Sequence, residues 1–172
     1  AGSIDPEQAW AAIAPALMDA LNALAAMRAA EGGHLRQDLE QRLATLTGFR
    51  DAIAAVAPDR VGRQRELLLK RLREAGLDLE SSDERLVKEL ALFADRCDVS
   101  EELTRIDSHV DKFRSYLAAG EPPGRALDFL CQELFREFNT IGSKANDANI
   151  AHTVVEAKTE LEKIREQVQN VE

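Results

Sequence analysis

Two lines of polar residues in the second half of the chain could do chemistry on a phosphate-bearing ligand. Arg125, Asp128, Gln132, Arg136 and Asn139 recur at steps of three and four, the spacing that puts side chains on one side of an α-helix. A solvated face more usually carries interchangeable Glu and Lys. Here guanidinium forks and side-chain amides dominate, and their directional donors suit phosphate oxygens and base edges. The second line, Glu102, Arg105 and His109, follows Asp98 at i, i+3 and i+7 spacing. Cleaving a phosphodiester requires charge neutralisation on the phosphoryl oxygens, activation of a nucleophile and protonation of the leaving oxygen. Arg105, Arg125, Arg136 and Lys144 suit the first task. Imidazole exchanges protons near neutral pH, which qualifies His109 for proton transfer. Asp98, Glu102, Asp128, Glu133 and Glu137 could hold a divalent ion, Mn or Mg, through carboxylate oxygens. The catalytic candidates are Glu102, His109, Asp128 and Glu133. No HExxH or DEDD-like signature is present, so these roles rest on clustering, and an ordinary solvated or inter-helix face fits the same spacing.

The elements that must position these groups read as helices throughout, predicting an all-α fold: a long helical arm or hairpin followed by a helical bundle. Leu127, Leu130, Leu134, Phe138 and Ile141 form an apolar stripe along the helix that carries the first polar line. Asp5-Pro6-Glu7 starts a helix. Its apolar residues continue through Trp10, Ile13, Leu17, Leu21, Leu24 and Met27 to Leu35, Leu39, Leu43 and Leu46. Pro15 and Gly32-Gly33 are its weak points and predict a kink rather than a break. Ala57-Pro58-Asp59 ends this arm and opens a second helix. Residues 59 to 73 of that helix hold Arg60, Arg63, Arg65, Lys70, Arg71 and Arg73 against Asp59 and Glu66. That basic face could lie along a phosphate backbone, and it fits a solvated cationic face as well. Gly76 to Ser82 reads as a turn, Ser82 with Asp83-Glu84 starts a helix with Leu86, Leu90 and Phe93 inward and an Arg85–Glu89 pair, and Ser100 caps the next. Gly120 to Gly124 is a short link predicting antiparallel neighbours, so the Glu102–His109 line would fold back onto the Arg125–Asn139 line. The final helix, about 148 to 170, is expected to pack through Ile150, Val154, Val155, Leu161, Ile164 and Val168. The predicted domain division is 1–82, the arm with its basic second helix, and 83–172, the helical domain carrying the candidate site.

Composition limits the partners. The 172 residues include 31 acidic and 22 basic groups for a formal charge of −9, which argues against wholesale electrostatic capture of nucleic acid. Any RNA contact must be local, and Arg60, Arg63, Arg105, Arg125, Gln132, Arg136, Asn139 and Lys144 are the candidate RNA-binding residues. Cys97 and Cys131 have apolar neighbours and no CxxC or zinc spacing, the pattern of buried thiols in a reducing cytosol. No signal peptide or run of about 18 apolar residues is evident, so a cytoplasmic protein without a membrane role is expected.

Three stretches carry a family resemblance: KELALFADRCDVSEELTRIDSHV, GRALDFLCQELFREFNTIGSK and the closing ELEKIREQVQNVE. In that order they resemble the carboxy-terminal part of the YicC family of bacterial endoribonucleases. The likeness spans nearly the whole chain and is strongest from Asp83 to Lys144 and at the end. It implies endonucleolytic cleavage of RNA, a ring-like homo-oligomer such as a hexamer, and divalent-metal dependence, without fixing the general base. Nothing here resembles the family's amino-terminal segment with its Met-Thr-Gly-Tyr-like motif, so the resemblance implies a fragment. Two functions from different classes follow: an RNA-cleaving enzyme, active alone or with that missing part, and a non-catalytic helical module for oligomerisation and RNA clamping. A coiled-coil scaffold unrelated to RNA is a third.

Overall fold

A computed structural model describes residues 5–77, 80, 82–119 and 124–171. The described elements are α-helices: α1 Pro6–Val56, a 3-10 turn Ala57–Asp59, α2 Arg60–Glu74, α3 Glu84–Cys97, α4 Ser100–Ala118, α5 Gly124–Lys144 and α6 Ala148–Val168. The chain divides into two compact units, Ala1–Leu39 and Glu40–Glu172.

In the first unit, the Asp5 carboxylate accepts a hydrogen bond from the Glu7 amide at 3.1 Å and starts α1. The helix is unbroken through Pro15 and Gly32-Gly33. Trp10, Ile13, Leu17, Leu21, Leu24 and Met27 are all exposed. The expectation that no apolar run reaches membrane-spanning length is corrected here. A window near the amino terminus has a mean hydropathy of 1.4, so by length and composition alone this helix could cross a bilayer. The cause is the alanine spacing between the larger residues: from Gln8 to Met27 the sole charged residue is Asp19.

The second unit holds the core. Antiparallel α4, α5 and α6 bury Ile106, Val110 and Phe113, Leu127, Leu134, Phe138 and Ile141, and Ile150, Leu161 and Ile164. The carboxy-terminal part of α1 joins them. It buries Leu43, Leu46 and Ile53 and reaches α6 through Arg42–Glu160 at 2.7 Å and α4 through Arg50–Asp107 at 2.6 Å. Packing of α5 on α6 is close enough that Gly124 has no room for a side chain. A Cβ there would sit 2.7 Å from the Val171 carbonyl oxygen.

Helix ends follow local chemistry. Gly76 adopts φ +75° after α2, with the Leu77 amide bonded to the Leu72 carbonyl and the Gly76 amide to that of Arg73, a Schellman termination. Asp83 caps α3 by accepting the Arg85 amide at 2.9 Å. The same carboxylate takes the Arg85 guanidinium at 3.1 Å, so the expected Arg85–Glu89 pair is replaced by a closer partner. Ser100 is the first residue of α4 and not its cap: the cap position is Val99, which makes no side-chain bond, and Asp98 just before it accepts both the amide and the hydroxyl of Ser100. Asp147 caps α6 through the amides of Asn149 and Ile150. The link predicted over Gly120 to Gly124 falls mainly on residues 120–123, outside the described residues, yet the antiparallel pairing of α4 and α5 it implied is present.

The basic second helix is partly structural. Arg60 is 5% exposed, and its guanidinium donates to the carbonyls of Ala57, Ala145 and Cys97. It joins the 3-10 turn to the ends of α5 and α3. Its assignment to RNA is thereby corrected: a fork turned inward onto three carbonyls and only 5% exposed presents no face to a phosphate. Arg63, half exposed, pairs with the α6 cap Asp147 at 3.1 Å. Replacing Arg60 by Met, which keeps the stem and removes the donors, is expected to destabilise the fold by about 2–4 kcal/mol, read as a lower denaturant midpoint. An Arg63→Met change is expected to cost less than half of that.

Candidate metal and phosphate site between α4 and α5

Antiparallel packing brings together Glu102, Arg105 and His109 from α4 with Glu133, Glu137 and Lys144 from α5. At its centre, one ligand atom each from His109, Glu133 and Glu137 lies within 4.8 Å of the others. Glu137 is buried, while His109 and Glu133 are half-buried. Donor atoms sharing an ion at about 2.1 Å can be no more than about 4.2 Å apart, so small rotamer adjustments would let the three meet on one cation. The mixed nitrogen and oxygen set is one that first-row divalent ions accept.

Cations flank both acids. Arg105 Nη1 stands 3.6 Å from the Glu137 carboxylate and its other Nη pairs with Glu101. Arg136 lies 4.0 Å from Glu133 and is largely exposed. Farther along, Lys144 bonds Glu102 at 2.7 Å. Glu102 is 4% exposed, and its second oxygen, Oε2, is buried with no hydrogen-bond partner. Glu102 therefore lies beneath the surface as a support for Lys144, while His109 and Glu133 remain accessible. Asp98 is exposed just before α4. Hydrogen bonds from the Ser100 side chain and amide, helped by the charges of Lys144 and Arg60, hold its carboxyl below the usual range.

The predicted convergence of the two polar lines is only partly realised. Asp128 lies on the opposite side of α5, where its carboxylate accepts Gln132 Nε2 at 2.8 Å and Arg165 Nε at 3.0 Å. Asn139 likewise faces α6, accepting Lys158 Nζ at 2.8 Å. Asp128 thus does not join Glu133 and Glu137, and Asp98 is occupied by Ser100; neither belongs to the His109 cluster. The reason is angular. Each residue turns an α-helix by about 100°, which puts Glu133, Glu137 and Lys144 toward α4, and Asp128, Gln132 and Asn139 toward α6. Arg125 and Arg136 stand exposed on the ridge between. His109 as a partner for two glutamates was not anticipated among the metal ligands; the Glu133–Glu137 spacing of one turn was its only signal.

Burial, with the Asp128 carboxylate nearby, pushes the Cys131 thiol up to about 12. It stays protonated, and the nucleophile is the thiolate. Native protein at pH 8 is expected to leave Cys131 unmodified by iodoacetamide over hours, whereas unfolded protein reacts within minutes, as peptide mass mapping would read. Asp98, with its depressed folded-state pKa, stabilises the fold above its ordinary value of 3.8 and loses that contribution as pH falls through the lower value. Asp98→Asn is therefore expected to flatten the acid limb of a stability-versus-pH curve below about pH 4 while weakening the start of α4.

The model of the family described as Endoribonuclease YicC-like, C-terminal, matches residues 53–172. A protein of Clostridioides difficile (strain 630) named "Probable endoribonuclease YicC" is 41% identical over 169 residues, covering 98% of this chain and 58% of its own length. One of the same name from Haemophilus influenzae (strain ATCC 51907 / DSM 11121 / KW20 / Rd) is 41% identical over 154 residues, covering 90% and 53%. The chain spans a little over half the length of these curated relatives.

Proposed function

The chain belongs to the YicC-like endoribonuclease family, and on that premise we propose that the α4–α5 groove is a metal-assisted site for cutting RNA phosphodiester bonds. The observation that carries this reading is the meeting of His109, Glu133 and Glu137 with ligand atoms inside 4.8 Å, beside Arg105 and Arg136. A divalent ion of the Mn type, when bound, would supply positive charge for the phosphoryl oxygens and acidify a bound water. His109, Glu133 and Glu137 would hold it. Arg105 and Arg136, already next to those carboxylates, would swing onto the non-bridging oxygens, where bidentate donors match phosphate geometry. Glu101 orients Arg105 from the outside. Lys144, anchored on buried Glu102, keeps a positive charge at the far end of the groove for a neighbouring phosphate.

The reading extends to assembly. The exposed stripe from Trp10 to Met27 gives the first unit an apolar face that a second copy would cover, as a homo-oligomer, a hexamer among the options, requires. A cytoplasmic location fits the two free, buried thiols Cys97 and Cys131.

Incubating the protein with a labelled single-stranded RNA and Mn, with and without chelator, tests the chemistry. Metal-dependent scission is expected, reduced about 100-fold by Glu137→Gln and by His109→Ala, in variants whose helical circular dichroism at the assay temperature matches that of the wild type. RNA binding without scission in any metal would instead favour the clamp. Scission indifferent to chelator and to both substitutions would sink the metal-site reading.

A further inference from the structure

On the other side of α5 lies a second recess with its own polar fittings. A cleft of about 180 Å³ opens between α5 and α6, lined by Cys131, Gln132, Phe135, Leu161, Glu162 and Arg165. Its floor is apolar, since Cys131 and Leu161 are buried and the thiol carries no charge. Its rim is ordered. Asp128 uses one oxygen on Gln132 Nε2 and the other on Arg165 Nε, so both rim groups are fixed in place. The Gln132 carbonyl oxygen and the Arg165 Nη groups are what remain for a ligand. Glu162 adds a carboxylate acceptor. At the other end Lys158 sits 4.7 Å from the Phe135 ring centre and bonds Asn139. The cleft thus has a cation at each end, seven residues apart on α6, roughly 10 Å along the axis.

We infer that this cleft is a nucleobase subsite for single-stranded RNA. A base presents apolar faces to a floor of this kind, and donors and acceptors along its edge to the rim. A carboxylate and a side-chain amide are the groups that pair with exocyclic amines and ring nitrogens. Arg165 and Lys158 would meet the phosphates on either side. The inference rests on the reading of the α4–α5 groove as an RNA site, and the helix connects the two. Gln132 and Glu133 are adjacent in sequence, one facing the cleft and the other the His109 cluster. Between them runs the exposed ridge of Arg125, Phe129 and Arg136, with Phe129 59% exposed. A strand crossing this ridge would place one base in the cleft, meet two guanidinium groups and an aromatic ring on the way, and present a nearby phosphate to His109 and Glu137. A protein of net charge −9 needs such base contacts, because backbone attraction alone is weak for it. Asp128 is thereby a positioning residue for Gln132 and Arg165 rather than a participant in bond cleavage.

The test compares fluorescein-labelled oligocytidylate with a base-free ribose-phosphate strand of equal length, by anisotropy in chelator so that nothing is cut. Wild-type protein should bind the base-bearing strand about tenfold more tightly, within the range that one stacked base contributes. In Gln132→Ala/Arg165→Ala that ratio should fall toward one, because a lost phosphate contact weakens both strands alike and cancels. Photo-crosslinking of 4-thiouridine RNA to the wild-type protein should map to residues 128–135 or 158–165. A wild-type ratio near one, an unaltered ratio in the double variant, or crosslinks found only elsewhere would each overturn the subsite. Calorimetric Mn binding and metal-dependent scission by the wild type report separately on the α4–α5 groove. Base-dependent binding without scission would leave the cleft standing and remove the catalytic reading, and the converse result would do the opposite.

Discussion

The second unit depends on one buried cation. Arg60 stands at the start of α2 and donates to carbonyls at the end of α3, just after α5, and in the turn before its own helix. Carbonyls at helix ends have no intrahelical partner, and burying them unpaired costs about 1–3 kcal/mol each. A guanidinium is the one side chain with enough fixed donors to reach three at once. What it fixes is the point from which α4 departs, after Cys97, and the point from which α6 departs, after Ala145. The relative position of α4, α5 and α6, and so of every group in the groove and the cleft, follows from that junction.

Given the junction, α5 becomes the organising helix. Its apolar third fills the core, one flank supplies acids and a lysine to α4, the other supplies an aspartate and amides to α6, and the outer ridge carries arginines and a phenylalanine. The two flanks differ in chemistry. Toward α4, Glu133 and Glu137 converge on His109 and one buried oxygen of Glu102 is left unpaired, an environment that attracts positive charge. Toward α6, Asp128 is fully engaged and the exposed donors are amide and guanidinium, an environment suited to neutral polar edges. Division of labour between ion and base would arise from this angular separation on a single rod.

Much of this was legible in the chain. Helix existence, the core stripe Leu127 to Ile141 and the cap at Asp5 follow from periodicity and short-range chemistry, which act within a turn or two, whereas the cap of α3 is Asp83 and not the expected Ser82. Face membership was legible too, but the identity of the facing neighbour was not. Asp128 and Glu133 are both acids near the middle of one helix, and nothing in their spacing says that one meets an arginine from α6 and the other a histidine from α4. Arg60 shows the same gap. Among six cations in 15 residues its burial is set by carbonyls far away in sequence, and no local pattern marks it. At the start of α4 the cap position is Val99, one residue before the expected Ser100, because the Asp98 carboxylate takes both the amide and the hydroxyl of Ser100, a charged acceptor being the stronger partner for both.

Trp10 is the chain's single tryptophan, and it stands 61% exposed in the first unit, while Tyr116 belongs to the second. The molecule therefore carries a built-in optical partition. Indole emission reports the solvation of the amino-terminal helix alone, and tyrosine absorbance senses the bundle that holds the groove and the cleft. Anything that covers the apolar stripe should blue-shift the first signal and leave the second untouched, so assembly and unfolding can be followed as separate events in unlabelled protein.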